Sequence, residues 1–510
     1  MATTRAKLAW DTLVDVEAAG PGPLHERLTR SLRQAIRDGR LPPSSALPPS
    51  RALATDLGCS RWVVTQAYEQ LVAEGYLTAR TGSATTVRAT GPTEDRGAAP
   101  NRPGGGATTA GTGVPSATSA PGRTPSHPGS AGSGQFSTRY DLAPGLPDLR
   151  AFPRRRWVEA VRSQLATMPY DDLGYPTPGG APHLRAVMAD YLRRVRGALT
   201  DAGDVTCCSS VSDGVARLAT CLRTAGIERI AVEDPGWTRL RQTIERVGLR
   251  TVGIPVDADG LRADELAKRR DVRAVLVTPA HQFPTGVVLT PGRRAVLLDW
   301  ARDVDGLILE DDYDAEFRYD RRPVGTLQGA DPEHVALFGS LSKTLSPAIG
   351  IGWMVTPARW TAELRAGEGG MSMPSALDQL AFGEFVESGG YDRHLRAARQ
   401  RYRHRRDALV AAIDARLPRC TLSGVAAGLH LVLRLEPGTP TAEVVARAAA
   451  SGVRVADLDA YRVRPDPSAP ALVLGYGNLP DGAVDPAVSL LAAAVAAVRP
   501  DASVRTPAGR

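Results

Sequence analysis

The segment from residue 91 to residue 139 divides this 510-residue chain into two unequal parts. It consists mainly of Gly, Pro, Ala, Ser and Thr and contains almost no large apolar side chains. Such a segment buries too little apolar surface to offset the conformational entropy that ordering would cost. It therefore predicts a flexible linker, with one folded domain at residues 22–90 and a larger one at residues 140–498.

The composition of the whole chain excludes several classes of protein. Hydrophobic residues make up 43% and charged residues 23%, which is an ordinary globular balance. The cysteines are odd in number and lack a framework spacing, which favours a reduced protein. No Cys or His pair has the spacing of a metal site, so no metal is expected. The N-terminus lacks the apolar core of a signal peptide, and no apolar run is long enough to cross a bilayer. We therefore expect a cytoplasmic protein without membrane contact.

Apolar residues recur at helical spacing over most of the first domain. Apolar residues recur at every fourth position from Leu24 to Ile36, which predicts a helix. Ser50 and Ser60 can begin two further helices, and the tight turn with a glycine between those helices is typical of a helix-turn-helix. Two strand-like runs follow on either side of residues 81–83, which predicts a hairpin, or wing.

The charge of this domain favours contact with double-stranded DNA. Nine arginines outweigh five acidic residues between Leu24 and Thr90, and the whole chain has a net charge of +7. Arg61 opens the predicted recognition helix and is expected to reach base edges, whereas Arg51 is expected to bind phosphate. The residues predicted to contact DNA are Arg51, Ser60, Arg61, Thr65, Arg80, Gly82 and Ser83. A winged helix that binds another protein is the alternative.

The stretch "LPPSRALATDLGCSRWVVTQAYEQLVAEGYL" (residues 47–77) resembles the GntR family of bacterial winged-helix regulators almost throughout. The resemblance implies a DNA-binding transcriptional regulator in a bacterial cytoplasm. Trp62 and Val63 depart from the pattern, because the family often has a small polar residue followed by Thr there. This departure leaves the operator sequence open.

Lys343 is notable in the second domain because only three of the chain's 62 Lys and Arg residues are Lys. An amine can lose its proton and attack a carbonyl, whereas a guanidinium stays protonated. Lys343 follows the strand-like run "VALFGS". It is therefore a candidate for a Schiff base, and a solvated surface lysine is the alternative.

Short apolar runs alternate with helix-period stretches in the second domain, which predicts an α/β fold with a largely parallel sheet. Four polar or Gly/Pro-rich segments end such runs, namely "EDPGW", "TPAHQFPTG", "EDDYDAEF" and "GSLSK". The carboxyl ends of parallel strands meet at one edge of a sheet, so we expect these segments to form one site.

The acidic segment "EDDYDAEF" (residues 310–317) can continue the strand-like run that precedes it. If the strand continues through it, Asp311 and Tyr313 point to one side and Glu310 and Asp312 to the other. A carboxylate in that position can pair with a protonated pyridine nitrogen, and a phenol beside it can bond a ring oxygen. An acidic loop or a cation site is the alternative, which the lack of a partner His and the presence of Lys343 disfavour.

Together these segments resemble the fold-type I pyridoxal-phosphate aminotransferases, and more closely the MocR-type regulators. In those regulators a variable linker joins a GntR winged helix to an aminotransferase-like domain. The resemblance implies a winged helix-turn-helix followed by a large α/β fold-type I domain with a small C-terminal α/β subdomain. It also implies pyridoxal 5'-phosphate as cofactor and a homodimer, because fold-type I sites form between two subunits.

The resemblance assigns roles by position. It implies that Lys343 forms the Schiff base, that Asp311 faces the pyridine nitrogen, and that Tyr313 contacts the ring hydroxyl. Trp237 takes the position that stacks on the ring, where this group usually has Tyr. Arg239 is a candidate for binding the carboxylate of an effector. The serines expected near the phosphate are Ser210, Ser212 and Ser340.

Four positions depart from the family pattern. Val211 replaces a glycine of the phosphate loop, and Asp213 replaces an amide, which would add repulsion. Gly350 stands where the family has a phosphate-binding arginine, so a charge-assisted bidentate contact would be lost. The changes at Val211 and Gly350 predict weakened cofactor binding. Val473 stands where aminotransferases commonly have the arginine that binds the substrate α-carboxylate.

The leading interpretation is a transcriptional regulator with a pyridoxal-phosphate-binding sensor domain and a small-molecule effector such as an amino compound. A working aminotransferase with a fused DNA-binding head and a regulator that no longer binds the cofactor stay open as alternatives. The winged helix favours a regulator over a turnover enzyme. The basic stretch Arg393–Ala412 could be a second nucleic-acid site, but its helical spacing favours a solvated helix.

Overall fold

The computed structural model describes residues 22–38, 40–78, 85–88, 138–175, 177–319, 325–366 and 373–498. The elements of the first domain are α1 Leu24–Arg37, α2 Ser50–Asp56, α3 Arg61–Ala73, β1 Leu77–Thr78 and β2 Thr86–Val87. The two strands pair antiparallel, so the helix-turn-helix and the hairpin are both confirmed. Three predicted DNA contacts at the hairpin tip, Arg80, Gly82 and Ser83, lie outside the described residues.

The helices of the first domain pack because each has one apolar face. Leu28 and Leu32 of α1 are buried against Val64 and Leu71 of α3 in one core. The apolar face of α1 begins one turn later than its sequence pattern predicts, since Leu24 is 40% exposed.

The second domain is built on an eight-stranded sheet in the order β4-β11-β10-β9-β8-β5-β6-β7. Its strands are β4 Val205–Cys208, β5 Arg229–Asp234, β6 Arg250–Asp257, β7 Gly260–Leu261, β8 Ala274–Val277, β9 Leu307–Asp311, β10 Val335–Ser340 and β11 Gly352–Val355. Strands β6, β5, β8, β9 and β10 are parallel, as predicted. Strand β11 runs antiparallel to both β10 and β4.

Helices cover both faces of this sheet. They are α4 Arg154–Thr167, α5 Pro182–Tyr191, α6 Val211–Thr224, α7 Thr238–Arg246, α8 Ala263–Ala267, α9 Pro291–Asp303, α10 Ala358–Ala366 and α11 Ala376–Glu387. Leu309 of β9 packs in one core with Leu218 of α6, whereas its neighbour Ile308 packs in another with Leu297 of α9. The central strands are therefore buried on both sides, which explains their continuous apolar runs.

A smaller α/β unit completes the chain, as predicted. Its four-stranded sheet has the order β12-β13-β16-β15. The elements are β12 Thr421–Ser423, β13 His430–Arg434, β15 Ala456–Asp457 and β16 Ala471–Gly475, with helices α12 Gly390–Arg416, α13 Thr441–Ala450 and α14 Val484–Ala496. Strand β14 (Val453–Arg454) pairs with β3 (Tyr140–Asp141). No helix in the described parts of the chain is both long and apolar enough to span a membrane.

The basic helix α12 has an interior and an exterior side. Arg405 is buried and donates hydrogen bonds to Asp148 Oδ2 at 2.6 Å and to the carbonyl oxygen of Gly477 at 2.7 Å. Arg403, two residues earlier, is exposed and lies 4.0 Å from Asp407. At least one arginine of this helix, Arg405, therefore stabilises the fold from the interior, whereas Arg403 is exposed to solvent.

Asp148→Ala should destabilise the second domain by an amount near the lower end of about 3–5 kcal/mol, because it removes the buried partner of Arg405 and leaves only Asp481, which is 58% exposed. The side chains of Asp148 and Arg405 are only 5% and 3% exposed. Asp407→Ala is the matched control, because it breaks an exposed pair on the same helix and should cost less than about 1 kcal/mol. Denaturant unfolding of both variants measures the difference, and equally small losses would contradict a structural role for Arg405.

Candidate cofactor site and DNA-contact residues

The carboxyl ends of the central strands bring the predicted site residues together. Asp311 is the last residue of β9 and lies in register with Phe338 of β10. Ser340 ends β10, and the turn that holds Lys343 follows at the same edge of the sheet. Strand β5 ends at the same edge just after Glu233. The four segments therefore converge, as predicted.

Glu233 ties β5 to the loop that follows β8. Its Oε2 atom accepts hydrogen bonds from the Thr278 backbone N–H at 3.2 Å, the Thr278 hydroxyl at 2.6 Å and Gln282 Nε2 at 3.1 Å. Burial raises the pKa of Glu233 to about 7, although these hydrogen bonds act to lower it. The carboxyl group thus holds the "TPAHQFPTG" loop beside the site.

Asp311 is the most informative side chain of the site. It is 2% exposed, and neither of its carboxylate oxygens has a hydrogen-bond partner among the described residues. Burial raises its pKa well above the ordinary value, and the neighbouring Asp312 raises it further. A buried carboxylate without a partner is costly, so this position fits a ligand that brings a positive charge or a hydrogen-bond donor.

The amine of Lys343 lies in the same interior. Its Nζ donates a hydrogen bond to the carbonyl oxygen of Gly145 at 2.6 Å and lies 5.5 Å from the centre of a Trp237 ring. Burial lowers the pKa of Lys343, while Asp311 opposes that shift. A lysine that is easier to deprotonate is a better nucleophile toward a carbonyl carbon. Sequence reasoning missed Gly145, because it lies far from the lysine along the chain.

Tyr313 belongs to a small buried network that the sequence did not reveal. Its hydroxyl lies 3.1 Å from Nδ1 of His281, and the same nitrogen lies 2.9 Å from Oδ2 of Asp314. Burial raises the pKa of Tyr313 well above its ordinary value, and the Asp314 carboxylate, which also interacts with the hydroxyl, raises it further.

The side chains of His281, Asp314 and His430 place possible metal-ligating atoms within 4.8 Å of one another. All three residues are buried, and His430 has a pKa well below its ordinary value, chiefly because of burial. The expectation of no metal site was drawn from spacing along the chain. His281, Asp314 and His430 come from three separate segments, so spacing could not reveal this cluster.

Trp237 and Arg239 lie at the start of α7. The indole of Trp237 is half-buried and packs edge-on against Phe283, with 6.4 Å between ring centres. Arg239 is exposed, and its charge contributes to lowering the pKa of Lys343. The structure thus brings both predicted residues to the site, with the guanidinium on its outer side.

The segment that was predicted to bind phosphate lies at the N-terminus of α6. The hydroxyl of Ser210 caps this helix by accepting from the backbone N–H of Asp213 at 3.2 Å. The Asp213 carboxylate accepts from the backbone N–H of Ser209 at 2.9 Å and pairs with Arg217 at 2.9 Å. We expected repulsion from Asp213, but Arg217 compensates its charge one helical turn later.

The other predicted phosphate residues differ in orientation and freedom. Val211 is buried in the apolar core beneath α6, so its side chain faces inward. Ser212 lies in the first turn of α6, where backbone N–H groups point out of the helix. Ser340 is buried at the end of β10. Gly350 has a left-handed conformation (φ +64°), and a Cβ there would have no neighbour within 4 Å among the described atoms.

Val473 belongs to the core of the small subdomain. It lies in β16, paired with Val432 and Ala456, and is fully buried. An arginine that binds a substrate carboxylate is therefore lacking at this position.

Four of the seven predicted DNA-contact residues lie at or near the turn between α2 and α3. Arg61 begins α3, is exposed, and has its Nε atom 3.3 Å from the Ser50 hydroxyl. Ser60 precedes it as the N-cap residue, without a capping bond from its side chain. Arg51 is exposed on α2, and Thr65 is half-buried one turn into α3.

Comparison with known proteins identifies the two folded parts. Residues 24–87 match the family "Bacterial regulatory proteins, gntR family", and residues 142–462 match "Aminotransferase class I and II". The fold and the site thus define an aminotransferase-like domain attached to a winged helix. The chain belongs to the MocR-type GntR transcriptional regulators, in which these two domains are combined.

Two relatives support this assignment over most of the chain. The HTH-type pyridoxine biosynthesis transcriptional regulator PdxR of Corynebacterium glutamicum is 31% identical, over 86% of this chain and 89% of the relative. The probable rhizopine catabolism regulatory protein MocR of Rhizobium meliloti is 32% identical, over 90% of each.

Solved structures share the fold of the second domain. An archaeal alanine:glyoxylate aminotransferase has a TM-score of 0.66 at 22% identity, over 70% of this chain and 91% of that one. The α-aminoadipate aminotransferase LysN of Thermus thermophilus, complexed with N-(5'-phosphopyridoxyl)-L-leucine, has a TM-score of 0.62 at 22% identity. The match covers 70% of this chain and 92% of the LysN chain.

Proposed function

We propose that this protein is a bacterial regulator that binds pyridoxal 5'-phosphate in its aminotransferase-like domain and double-stranded DNA through its winged helix. The cofactor half rests on the buried Asp311 carboxylate, whose oxygens are unpaired within the described structure. A protonated ring nitrogen would supply the missing charge and hydrogen bond. The half-buried Lys343 amine, with its lowered pKa, is suited to form a covalent bond to an aldehyde.

The cofactor supplies an aldehyde and an electron-withdrawing ring when bound, and the residues of this chain hold and orient it. We assign the Tyr313 hydroxyl, which lies beside His281 and Asp314, to a ring oxygen, and Trp237 offers an indole face near Lys343. The outward N–H groups of the first turn of α6 suit a phosphate. The side chains that we assign to the phosphate are Ser210, Ser212 and Ser340.

We infer that phosphate binding is weaker than in the family, mainly because of Gly350. The buried side chain of Val211 does not face the phosphate end, and the charge of Asp213 is compensated by Arg217. The lack of an arginine at position 350 is then the main reason for weaker phosphate binding, since charge-assisted hydrogen bonds are stronger than neutral ones.

The regulator is favoured over a turnover aminotransferase because of Val473. The side chain at that position is apolar and buried, so a grip on the substrate α-carboxylate is not available there. Arg239, exposed beside the site, is instead proposed to bind the carboxylate of an effector, such as an amino compound. A regulator that has lost the cofactor is the second candidate, and the spectrum below distinguishes it.

The assembly that we propose is a cytoplasmic homodimer with two winged helices. Two such domains call for two half-sites on DNA, and a linker at residues 91–139 would let the spacing of those half-sites vary. Trp62, a departure from the family pattern, is 59% exposed on α3. It therefore lies on a helix surface that is free to face DNA.

Lys343→Ala should abolish the visible-range absorbance that the wild type acquires with pyridoxal 5'-phosphate, because the amine that bonds the aldehyde is gone. Lys268→Ala is the control, since Lys268 is an exposed lysine paired with Glu265 at 3.0 Å. The control should keep the wild-type spectrum. A featureless spectrum in wild type and both variants would instead support the regulator that has lost its cofactor.

Gly350→Arg should bind pyridoxal 5'-phosphate about 1–3 kcal/mol more tightly than Gly350→Ala, the range for hydrogen bonds to charged groups. Both variants carry the cost of a left-handed conformation, about 1–2 kcal/mol, so their difference isolates the guanidinium. Spectroscopic titration gives the two affinities. Equal affinities would mean that the phosphate lies elsewhere than the family position.

Arg61→Ala should weaken binding to the cognate operator by about 1–3 kcal/mol and relax its sequence specificity, because this residue reads bases. Arg51→Ala should weaken all sequences alike and flatten the dependence on salt, because it contacts phosphate. Anisotropy titrations at several salt concentrations separate the two effects. Wild-type binding by both variants would move the DNA contact away from α2 and α3.

A further inference from the structure

The winged helix is joined to the second domain by a cluster of polar contacts around two glycine carbonyls. The guanidinium of Arg37, at the end of α1, donates to the carbonyl oxygens of Gly197 at 2.8 Å and Gly329 at 2.6 Å. It also donates to the hydroxyl of Tyr76 at 2.6 Å, and that hydroxyl donates to the Gly329 carbonyl at 2.6 Å. We call this surface of the second domain, formed by residues 197 and 325–329, the carbonyl seat.

A buried ion pair of the winged helix lies against the same seat. Arg33 and Glu74 form two hydrogen bonds, at 2.9 and 2.7 Å, and their side chains are 11% and 3% exposed. A Cβ on Gly197 would lie 3.4 Å from Cζ of Arg33, and one on Gly325 would lie 3.0 Å from Cδ of Glu74. A buried ion pair is costly unless its geometry is satisfied, so this docked arrangement is specific rather than a loose contact.

The seat also demands glycine. Gly197 has a left-handed conformation (φ +67°), and a Cβ on Gly329 would collide with the Gly197 carbonyl oxygen. The two carbonyls can therefore converge on one guanidinium only because neither residue has a side chain.

Strand β9 fixes both halves of the seat. The Glu310 carboxylate accepts from the backbone N–H groups of Leu327 and Gln328, each at 3.0 Å. The Asp312 carboxylate pairs with Arg196, at 2.6 Å to Nε and 2.8 Å to the outer nitrogen. Arg196 directly precedes the first seat carbonyl, and Leu327 and Gln328 directly precede the second.

Asp311 lies between these two carboxylates. Because successive side chains along a strand alternate in direction, Asp311 faces the cofactor site while its neighbours hold the seat. A shift of this part of β9 would therefore move the seat carbonyls together with the cofactor carboxylate.

We propose that the carbonyl seat is the docking surface for this chain's own winged helix, and that strand β9 couples docking to occupancy of the cofactor site. The second half of this proposal rests on the proposed function. Coupling between two sites is reciprocal, so a change in docking must alter cofactor affinity by the same factor that the cofactor alters docking. Couplings of this kind are typically 5- to 150-fold.

Small-angle X-ray scattering of the full chain tests the seat without any ligand. Arg37→Ala and Tyr76→Phe should both increase the radius of gyration, because each removes contacts to the Gly329 carbonyl. Gln34→Ala is the matched control, since this exposed residue of α1 bonds Asp38 rather than the seat. Circular dichroism checks folding, and Tyr76→Phe keeps the test decisive if the arginine variant misfolds. Scattering identical to that of the wild type in both variants would overturn the seat.

Titration with pyridoxal 5'-phosphate, followed by absorbance, tests the coupling in the same proteins. Arg37→Ala and Tyr76→Phe should change the apparent affinity at least fivefold relative to the wild type and Gln34→Ala. Equal affinities in all four proteins would overturn the coupling while leaving the proposed function intact. If the wild type binds no cofactor, the proposed function fails and the coupling fails with it, whereas scattering still decides the seat.

Discussion

Three consecutive carboxylates at the end of β9 organise the second domain. Glu310, Asp311 and Asp312 are all buried, and a buried carboxylate is stable as a charge only when it is paired or hydrogen-bonded. Glu310 is satisfied by two backbone N–H groups and Asp312 by the fork of Arg196. Asp311 has no such partner in the part of the chain that the structure describes. Asp311 is therefore the one of these three carboxyl groups that the described fold leaves without a hydrogen bond, and this is why we propose it as a ligand-binding group.

Burial acts on the acid and the amine in opposite directions, and both shifts suit the same ligand. It raises the pKa of Asp311 and lowers the pKa of Lys343, so each charged form is disfavoured. A ligand with a cationic ring nitrogen and an aldehyde removes both penalties, because it pairs with the carboxylate and consumes the amine. Burial and the neighbouring Asp312 also raise the pKa of Glu310, to about 7, so its charged form is disfavoured as well.

The site was only partly predictable from sequence. Lys343, Asp311 and Tyr313 could be proposed from the sequence because each lies in a short motif that ends a strand. His281 and Gly145 were missed, since only the folded chain brings them to Tyr313 and Lys343. The ion pair of Asp213 with Arg217, one turn further along α6, was overlooked although helical spacing alone could have revealed it.

The sequence alone determined the helix-turn-helix and the parallel strands and singled out Lys343 as a candidate, because these depend on composition, local periodicity and neighbouring residues. The tertiary structure decided the strand order, the unpaired state of Asp311 and the burial of Val211. It also decided the contact of Arg37 with Gly197 and Gly329. Those properties depend on which distant segments pack together. Burial shifts the pKa of a side chain and creates its need for a partner, and burial exists only in the folded chain.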